Sequence, residues 1–191
     1  MIPSAHPEDK PIRILDIGFG NGDYLRRIYE WAQKQKLKVD LSGVDLNPWA
    51  KKAAQKLTPK GLPIRYFTSN VFDFKPDEPY HIILNSLFTH HLSNEEIIKV
   101  MQWMTANAQW GWFINDLHRH CLPYYFIRYY VRLQNYNRLV RNDAPLSVAR
   151  SFTRKDWENL IQRSGLEEKH LHVSWYWPFR YGVTYATTTN F

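Results

Sequence analysis

The sequence predicts an α/β fold in which βαβ units build a mainly parallel sheet. Short apolar runs alternate along the chain with longer stretches whose apolar residues have helical spacing. That alternation is typical of parallel strands joined by crossover helices. The C-terminal stretch alternates residue by residue instead and is interrupted around 178–182, so it predicts an antiparallel hairpin at the sheet edge.

The first half of the chain carries three predicted strands and two predicted helices. Leu25, Ile28 and Ala32 recur at helical spacing after the first apolar run, which indicates an amphipathic helix. Pro48 stands where the first turn of a helix tolerates proline. The predicted elements are a strand over 12–17, a helix over 23–36, a strand over 38–45, a helix over 49–57 and a strand over 63–68.

The second half contains two further strands before the hairpin, over 80–85 and 110–115. Ser93 and Glu96 have the spacing of a capping box, so a helix begins at Ser93. Thr153 begins another helix, which Gly165 ends. A tyrosine-rich helical region is predicted over 122–140.

Length and composition predict one domain over residues 1–191, large enough to bury a core without disulfides or a metal. Cys121 is the single cysteine, which excludes an intrachain disulfide and suits a reducing compartment. The N-terminus lacks the apolar core of a signal peptide. No run approaches the roughly 18 apolar residues of a membrane span. We therefore expect a cytoplasmic protein.

The net charge of +7 suggests an anionic partner, such as nucleic acid or a lipid surface. Five arginines and five tyrosines, but no acidic residue, lie between His118 and Arg141. The simpler interpretation is a solvated helix face on which arginine stems pack against aromatic rings. Composition favours this second interpretation without excluding the first.

The stretch IRILDIGFGNGD, residues 12–23, joins a strand to a helix through glycines at positions 18, 20 and 22. A strand, a glycine-rich turn and a helix bring unpaired backbone N–H groups together, which favours ligand binding. Dinucleotides favour G-x-G-x-x-G, whereas the spacing here is G-x-G-x-G, with Asp23 at the position of the third dinucleotide glycine. A carboxylate there disfavours a pyrophosphate and suits a ligand that carries an ammonium group. Asp16, just before the loop, adds a second carboxylate.

Asp45 ends the second predicted strand, where an acid can accept hydrogen bonds from both ribose hydroxyls. Together with D-I-G-F-G-N-G-D, this acid resembles the class I methyltransferases, and the resemblance runs from Ile12 to the terminal hairpin. It implies a Rossmann-like three-layer αβα sandwich with a seven-stranded, mostly parallel sheet. It also implies S-adenosylmethionine as the cofactor.

The same resemblance assigns roles to individual residues. The glycine loop wraps the methionine part of the cofactor, Asp45 binds the ribose and Leu46 lies beside the adenine. Asn70 stands where many relatives have an aspartate that accepts from the adenine amino group, while Val71 supplies a backbone N–H and Asn85 lines the pocket beneath the sulfonium. The implied cofactor-binding residues are Asp16, Gly18, Phe19, Gly20, Asn21, Gly22, Asp45, Leu46, Asn70, Val71 and Asn85.

Two histidine clusters follow the fourth and fifth predicted strands, in FTHHLS and INDLHRHCLPYY. Catalytic groups of open α/β sheets lie beyond the carboxyl ends of strands, and these two strands are neighbours in the topology that the resemblance implies. The residues expected around one cleft are therefore His90, His91, Asp116, His118 and His120.

If the methyl acceptor is a hydroxyl group, a histidine suits the role of general base because its pKa lies near neutral pH. His118 is the first candidate and His91 the second, with Asp116 orienting the base. Simple packing explains the His90–His91 pair about equally well. No metal site is predicted, because the H-R-H spacing is poor for two ligands on one helix face and no H-x₃-H pattern is present.

The N-D-L-H-R-H string resembles small bacterial methyltransferases, some of which are found with type III polyketide synthases. The resemblance implies a small phenolic or other aromatic acceptor and favours O-methylation. The positive charge keeps RNA or protein open as a less favoured acceptor. A cofactor-binding scaffold that has lost activity is a third alternative.

The resemblance also implies that residues 117–150 form an insertion that covers the substrate. Only eleven residues precede the first strand, where relatives have helices that help cover the pocket. Either the pocket is more open here, or a partner subunit of a homodimer covers it, or the chain is a shortened version.

Overall fold

The computed structural model describes residues 10–134 and 136–187, and within them seven strands form one sheet. Their order across the sheet is β3-β2-β1-β4-β5-β7-β6, in which β7 is antiparallel to both neighbours and the other pairs are parallel. The strands are β1 (Ile12–Ile17), β2 (Val39–Asp45), β3 (Ile64–Thr68), β4 (Tyr80–Ser86), β5 (Ala108–Leu117), β6 (Leu171–Tyr176) and β7 (Arg180–Ala186).

Helices cover both faces of the sheet, which confirms the predicted α/β class and its Rossmann-like three-layer form. Leu25 of α1 and Ala54 of α2 pack with Leu41 on one face. Met101 of α3 and Trp157 of α6 pack on the opposite face. The helices are α1 (Asp23–Lys34), α2 (Pro48–Leu57), α3 (Asn94–Asn107), α4 (Cys121–Leu133), α5 (Arg138–Arg150) and α6 (Arg154–Ser164).

Local capping signals place the helix ends well. Ser93 forms the predicted capping box, and Thr153, predicted to begin a helix, forms a second one; in each, the cap side chain and a carboxylate three residues later exchange hydrogen bonds with the backbone. Gly165 ends α6 in the left-handed conformation, with φ 68°. None of the described helices combines the length and the apolar composition that a membrane-spanning segment requires.

The tyrosine-rich region differs from its prediction as one helical stretch over 122–140. It forms two helices, α4 and α5, which pack against each other. Asn137 starts the second helix because its side chain accepts a hydrogen bond from the backbone N–H of Val140 at 2.9 Å. The helical spacing of apolar residues continues across this break, so it does not reveal the break. The prediction did not use the capping residue Asn137, which does.

Strand β5 is longer than predicted, and its extra length brings acidic and polar residues into the sheet. It pairs with β7 without interruption from Gly111 opposite Ala186 to Leu117 opposite Arg180. Asp116 therefore lies inside a strand rather than in the loop after it. The loop after β4 contacts the same end of β5, because the N–H of Leu87 donates a hydrogen bond to the carbonyl of Asn115 at 2.9 Å.

Candidate functional site

The carboxyl ends of β1, β2, β4 and β5 meet at one edge of the sheet, beginning with the glycine loop after β1. Gly18 and Gly22 have φ values of 72° and 75°, which favour glycine. A Cβ atom on Gly22 would lie 2.5 Å from the Tyr66 hydroxyl, and one on Gly18 would lie 2.6 Å from the Phe88 ring. The loop thus needs glycine both for its backbone angles and for space.

Asp45 holds the loop against the end of β2. Its carboxylate accepts the N–H of Gly20 at 3.0 Å and the N–H of Asn47 at 2.9 Å, one on each oxygen. Each carboxylate oxygen has a further lone pair. The side chain is therefore fixed in place and still able to accept hydrogen bonds from the two hydroxyls of a ribose.

Asp16 is a buried carboxyl at the end of β1. Its Oδ1 atom has no hydrogen-bond partner among the described residues. Burial, with a smaller contribution from the charge of Asp45, raises the pKa of Asp16 to about 8. A cationic group of a ligand placed here would stabilise the carboxylate and provide the missing partner.

Asn85 of β4 is also buried, and neither its Oδ1 nor its Nδ2 atom finds a partner among the described residues. Buried polar groups in folded proteins are nearly always hydrogen-bonded. Asn85 and Asp16 lie on neighbouring strands, with Asn85 directly opposite Ile17. These unsatisfied atoms fit a polar, cationic ligand such as the cofactor that the sequence resemblance implies.

A cavity of about 280 Å³ opens beside the glycine loop. Five of the predicted cofactor-binding residues line it, namely Gly18, Asp45, Leu46, Asn70 and Val71. Asparagine at position 70 also holds its own turn, since its Oδ1 accepts the N–H of Phe72 at 3.1 Å. The cavity is lined further by Ile17, Val44, Ser69, Phe72, Phe88, His91, Leu92, Glu96 and Val100.

Two residues of the glycine loop, Phe19 and Asn21, are not among the residues that line this cavity, and their side chains have other contacts. The Phe19 side chain is buried in the core beneath α1 and α2, with its ring 4.9 Å from that of Tyr66. Asn21 serves the start of α1, because its Oδ1 accepts the N–H of Asp23 and its carbonyl accepts from Arg26.

The Asp23 carboxylate does not supply the charge that the spacing suggested for an ammonium group. It pairs with Arg27 at 2.8 Å and with Arg26 at 3.7 Å on its own helix. Asp16, which has no such cation beside it among the described ion pairs, is the better carboxylate for that role.

The second part of the site is a buried network around Asp116. Its Oδ1 atom lies 2.7 Å from Nδ1 of His90, and its Oδ2 atom accepts the His90 backbone N–H and the Thr89 hydroxyl. Burial opposes ionisation, but these hydrogen bonds lower the pKa of Asp116. In the neutral form of the His90 ring, the carboxylate of Asp116 favours the tautomer with the proton on Nδ1 and the lone pair on Nε2.

The prediction that Asp116 orients His118 is wrong, because Asp116 engages His90 instead. The Nδ1 atom of His118 accepts a hydrogen bond from the Trp175 indole N–H at 3.2 Å. A neutral His118 ring with an accepting Nδ1 carries its proton on Nε2. Its Nε2 is then a hydrogen-bond donor and not a base.

His118 and His120 belong to an aromatic cluster with the hairpin. The His118 ring lies edge-on to Tyr181 at 4.8 Å, and the His120 ring lies 5.2 Å from Phe179. The two histidine rings are 5.4 Å apart. Burial, followed by the charge of His120, lowers the pKa of His118, which keeps it neutral near pH 7.

His91 connects the two parts of the site. Its ring lies 4.2 Å from that of His90, and it lines the cavity beside the glycine loop. Burial, followed by the neighbouring His90, lowers the pKa of His91. The five predicted catalytic residues therefore form two groups, His90 with His91 and Asp116, and His118 with His120.

Sequence reasoning missed Thr89 and Phe88. Thr89 is fully buried and donates to Asp116, and the Phe88 ring covers Gly18. A threonine or phenylalanine in a short loop carries no recognisable sequence signal, so only the fold reveals these contacts. Among the described residues, no group of three or more His, Cys, Asp or Glu side chains is arranged to hold a metal ion.

Comparison with protein families adds one match. The model of a family described as a methyltransferase domain matches residues 14–109, which include the glycine loop, Asp45 and the histidines after β4. None of the curated proteins compared with the chain is significantly similar to it in sequence.

Solved structures share the fold at low sequence identity. The plantazolicin methyltransferase BpumL, in complex with a triazolic desmethylPZN analog and SAH, is 18% identical with a TM-score of 0.69, over 94% of this chain and 78% of that one. LepI in complex with SAM is 19% identical with a TM-score of 0.65, over 96% of this chain and 45% of LepI. A protein assigned as an O-methyltransferase from Nostoc punctiforme is 13% identical with a TM-score of 0.64, over 94% and 53% of the two chains.

Proposed function

The chain belongs to the methyltransferase domain family and is an S-adenosylmethionine-dependent methyltransferase, and we propose that its acceptor is the hydroxyl group of a small aromatic molecule. The family match ends at residue 109, before Asp116 and the hairpin. The acceptor proposal therefore depends on this chain's own residues at the ends of β4, β5 and β7.

The cofactor proposal follows from the unsatisfied groups at the sheet edge. Asp45 accepts the ribose hydroxyls, while Leu46, Asn70 and Val71 line the cavity for the adenine. Asp16 supplies the negative charge for the cationic methionine part. When bound, S-adenosylmethionine supplies a methyl carbon that its sulfonium has already activated, so the protein chiefly has to position the acceptor and remove its proton.

The contact between His90 and Asp116 carries the proposal of a hydroxyl acceptor. Because Nδ1 of His90 donates to the carboxylate at 2.7 Å, Nε2 holds the lone pair that a general base needs. The carboxylate fixes the tautomer and stabilises the imidazolium that forms when His90 takes the proton. His90 thus replaces His118 as the proposed base.

His118 and His120 then act on the acceptor ring. They form an aromatic wall with Phe179 and Tyr181, which suits a flat aromatic molecule. Nε2–H of His118 can donate a hydrogen bond to an acceptor oxygen. His91, at the border of the cofactor cavity, is proposed to separate that cavity from the acceptor.

The helical pair α4 and α5, within residues 117–150, is proposed to cover the acceptor, as the sequence resemblance implied. Helix α5 packs against the short 3-10 helix Thr89–His91, which carries both candidate histidines of that loop. The charges of Asp143 and Arg150 on α5 also reach His91. Movement of this pair would open the site.

Transfer of a labelled methyl group from S-adenosylmethionine tests the proposal, with simple phenols, catechols and total RNA as separate acceptors. We expect label on the phenols and not on RNA. Asp45→Asn serves as the control for cofactor binding, because it replaces the carboxylate that accepts the ribose hydroxyls with an amide. It should reduce methyl transfer to every acceptor. Labelling of RNA alone would contradict the small-molecule proposal.

A further inference from the structure

Helix α4 is apolar on both of its long faces. Val131 is buried on the inner face, where the helix packs against α5. The outer face is formed by Leu122, Tyr125, Phe126, Tyr129, Tyr130 and Leu133, and these side chains are exposed. Their spacing covers an arc of roughly 140° at 100° per residue. Phe126 and Leu133 are 67% and 83% exposed.

The exposed aromatic surface continues onto the turn between β6 and β7. Trp177 is 82% exposed, and Trp175 and Tyr176 beside it are also exposed. The turn lies next to the start of α4, because Phe179 packs against His120, which accepts the N–H of Leu122 at 3.2 Å. Apolar surface of this extent on a protein marks an interaction site.

Positive charge borders this surface. Arg128 and Arg132 lie along one side of the apolar arc of α4. The whole segment from His118 to Arg141 contains five arginines and no acidic residue. A partner that meets the apolar arc therefore also meets the guanidinium groups of Arg128 and Arg132.

We propose that the docking face, defined as the outer face of α4 with residues 175–177 at the end of β6 and the start of the turn after it, binds the surface of an anionic lipid bilayer. Leucine, phenylalanine, tyrosine and tryptophan enter the boundary between headgroups and acyl chains, while arginines at the edge reach the phosphates. Each basic residue near an anionic leaflet adds to the attraction. Tryptophan and tyrosine are the aromatic residues enriched at this depth.

Charge and composition favour a bilayer over the other occupants. In a dimer that pairs two antiparallel copies of α4 through this face, the arginines of both copies would lie along the same side and repel one another. An RNA site uses aromatic rings on which bases stack, whereas Leu122 and Leu133 offer no ring and are among the exposed side chains of the face. A bilayer satisfies the aliphatic, aromatic and basic residues together.

Flotation of the full chain with vesicles tests the proposal. One vesicle set contains phosphatidylcholine alone and the other contains phosphatidylglycerol as about a quarter of the lipid. We expect the chain to float with the anionic vesicles and at least tenfold less with the neutral ones. Phe126→Ser with Leu133→Ser, and separately Arg128→Glu with Arg132→Glu, should each reduce flotation at least tenfold.

Trp31→Ser is the matched control, since Trp31 is 54% exposed but lies on α1, away from the docking face. It should float like the wild type. Thermal melting and binding of S-adenosylhomocysteine show whether each variant is folded. If Phe126→Ser with Leu133→Ser does not fold, Arg128→Glu with Arg132→Glu still tests the proposal. Three results would overturn the proposal. The first is a wild type that floats with neither vesicle set. The others are docking-face variants that float like the wild type and lose instead either a dimer that the wild type forms or the retention of RNA.

Discussion

At the scale of single residues, Asp16 is a proposed binding residue that lowers the stability of the ligand-free protein. Its carboxyl is buried with Oδ1 unsatisfied among the described residues, and burial raises its pKa to about 8. In the unfolded chain the pKa returns to its ordinary value near 3.8. The folded protein therefore keeps a proton that the unfolded chain releases between these two values, and stability falls as the pH rises through this window.

The substitution Asp16→Asn removes this ionisation from the folded state. We expect it to leave the melting temperature of the ligand-free protein similar at pH 4 and to raise it by several degrees at pH 8.5, where the wild type buries a carboxylate. Thermal melts at both pH values measure the difference. Asp23→Asn, which alters an exposed carboxylate after the same loop, is the control, and an equal effect of Asp16→Asn at both pH values would contradict the account.

Cofactor binding should depend on pH with the opposite sign. A cationic ligand selects the ionised Asp16, so the affinity of the wild type for S-adenosylmethionine should increase between pH 6 and pH 8 as the carboxyl loses its proton. Calorimetric titration at several pH values measures this, together with the release of a proton. Asp16→Asn should bind weakly and lose the proton release, and an unchanged release would refute the assignment.

At the scale of the elements, the glycine loop combines two demands that substitution can separate. Gly20 has φ 53° and open space around its Cβ position, whereas Gly22 has φ 75° and faces the Tyr66 hydroxyl, which lies 2.9 Å from the hydroxyl of Thr58. Left-handed backbone angles cost an alanine about 1–2 kcal/mol. An overlap with a held side chain adds about 1–3 kcal/mol.

Gly20→Ala should therefore lower the free energy of unfolding by about 1–2 kcal/mol through backbone strain alone. Gly22→Ala should cost about 1–3 kcal/mol more, because its methyl group displaces Tyr66. Urea denaturation of both variants measures the difference. Equal losses would show that the loop relaxes away from Tyr66 and that the available space does not restrict position 22.

Most helix ends and the hairpin break could be predicted from the sequence, because the residues that determine them are neighbours along the chain. The capping boxes at Ser93 and Thr153, the left-handed Gly165 and the hairpin break depend on neighbouring residues only. The break between α4 and α5 was missed because apolar spacing continues across it. The full length of β5 was missed because pairing with β7 sets its end, and that contact joins distant parts of the chain.

At the scale of the whole molecule, the fold explains which parts of the site could be predicted. The glycines follow β1 directly and Asp45 is the last residue of β2, so the parallel topology brings them together and the sequence identifies them. The partner of Asp116 could not be predicted, because His90 and His118 are both histidines at ends of adjacent strands. Only the packing of Thr89 and His90 decides which of them reaches the carboxylate.

In the proposed function, the two sides of the molecule have separate tasks. The family match covers the strands and helices that form the cofactor side, while the described residues after 109 supply Asp116, the aromatic wall and the docking face. Variation in these later elements would change the acceptor without disturbing the glycine loop. Under this proposal, the residues that determine the acceptor lie mainly after residue 109.

The turnover of variants at His90 tests the central claim most directly. With saturating S-adenosylmethionine and a phenol that the chain methylates, His90→Ala should lower kcat by about 10²–10⁴-fold while the cofactor affinity stays close to that of the wild type. His118→Ala should lower kcat less, and its loss should appear mainly in KM for the phenol. A folded His90→Ala variant with wild-type kcat would contradict the account, as would a larger loss of kcat in His118→Ala.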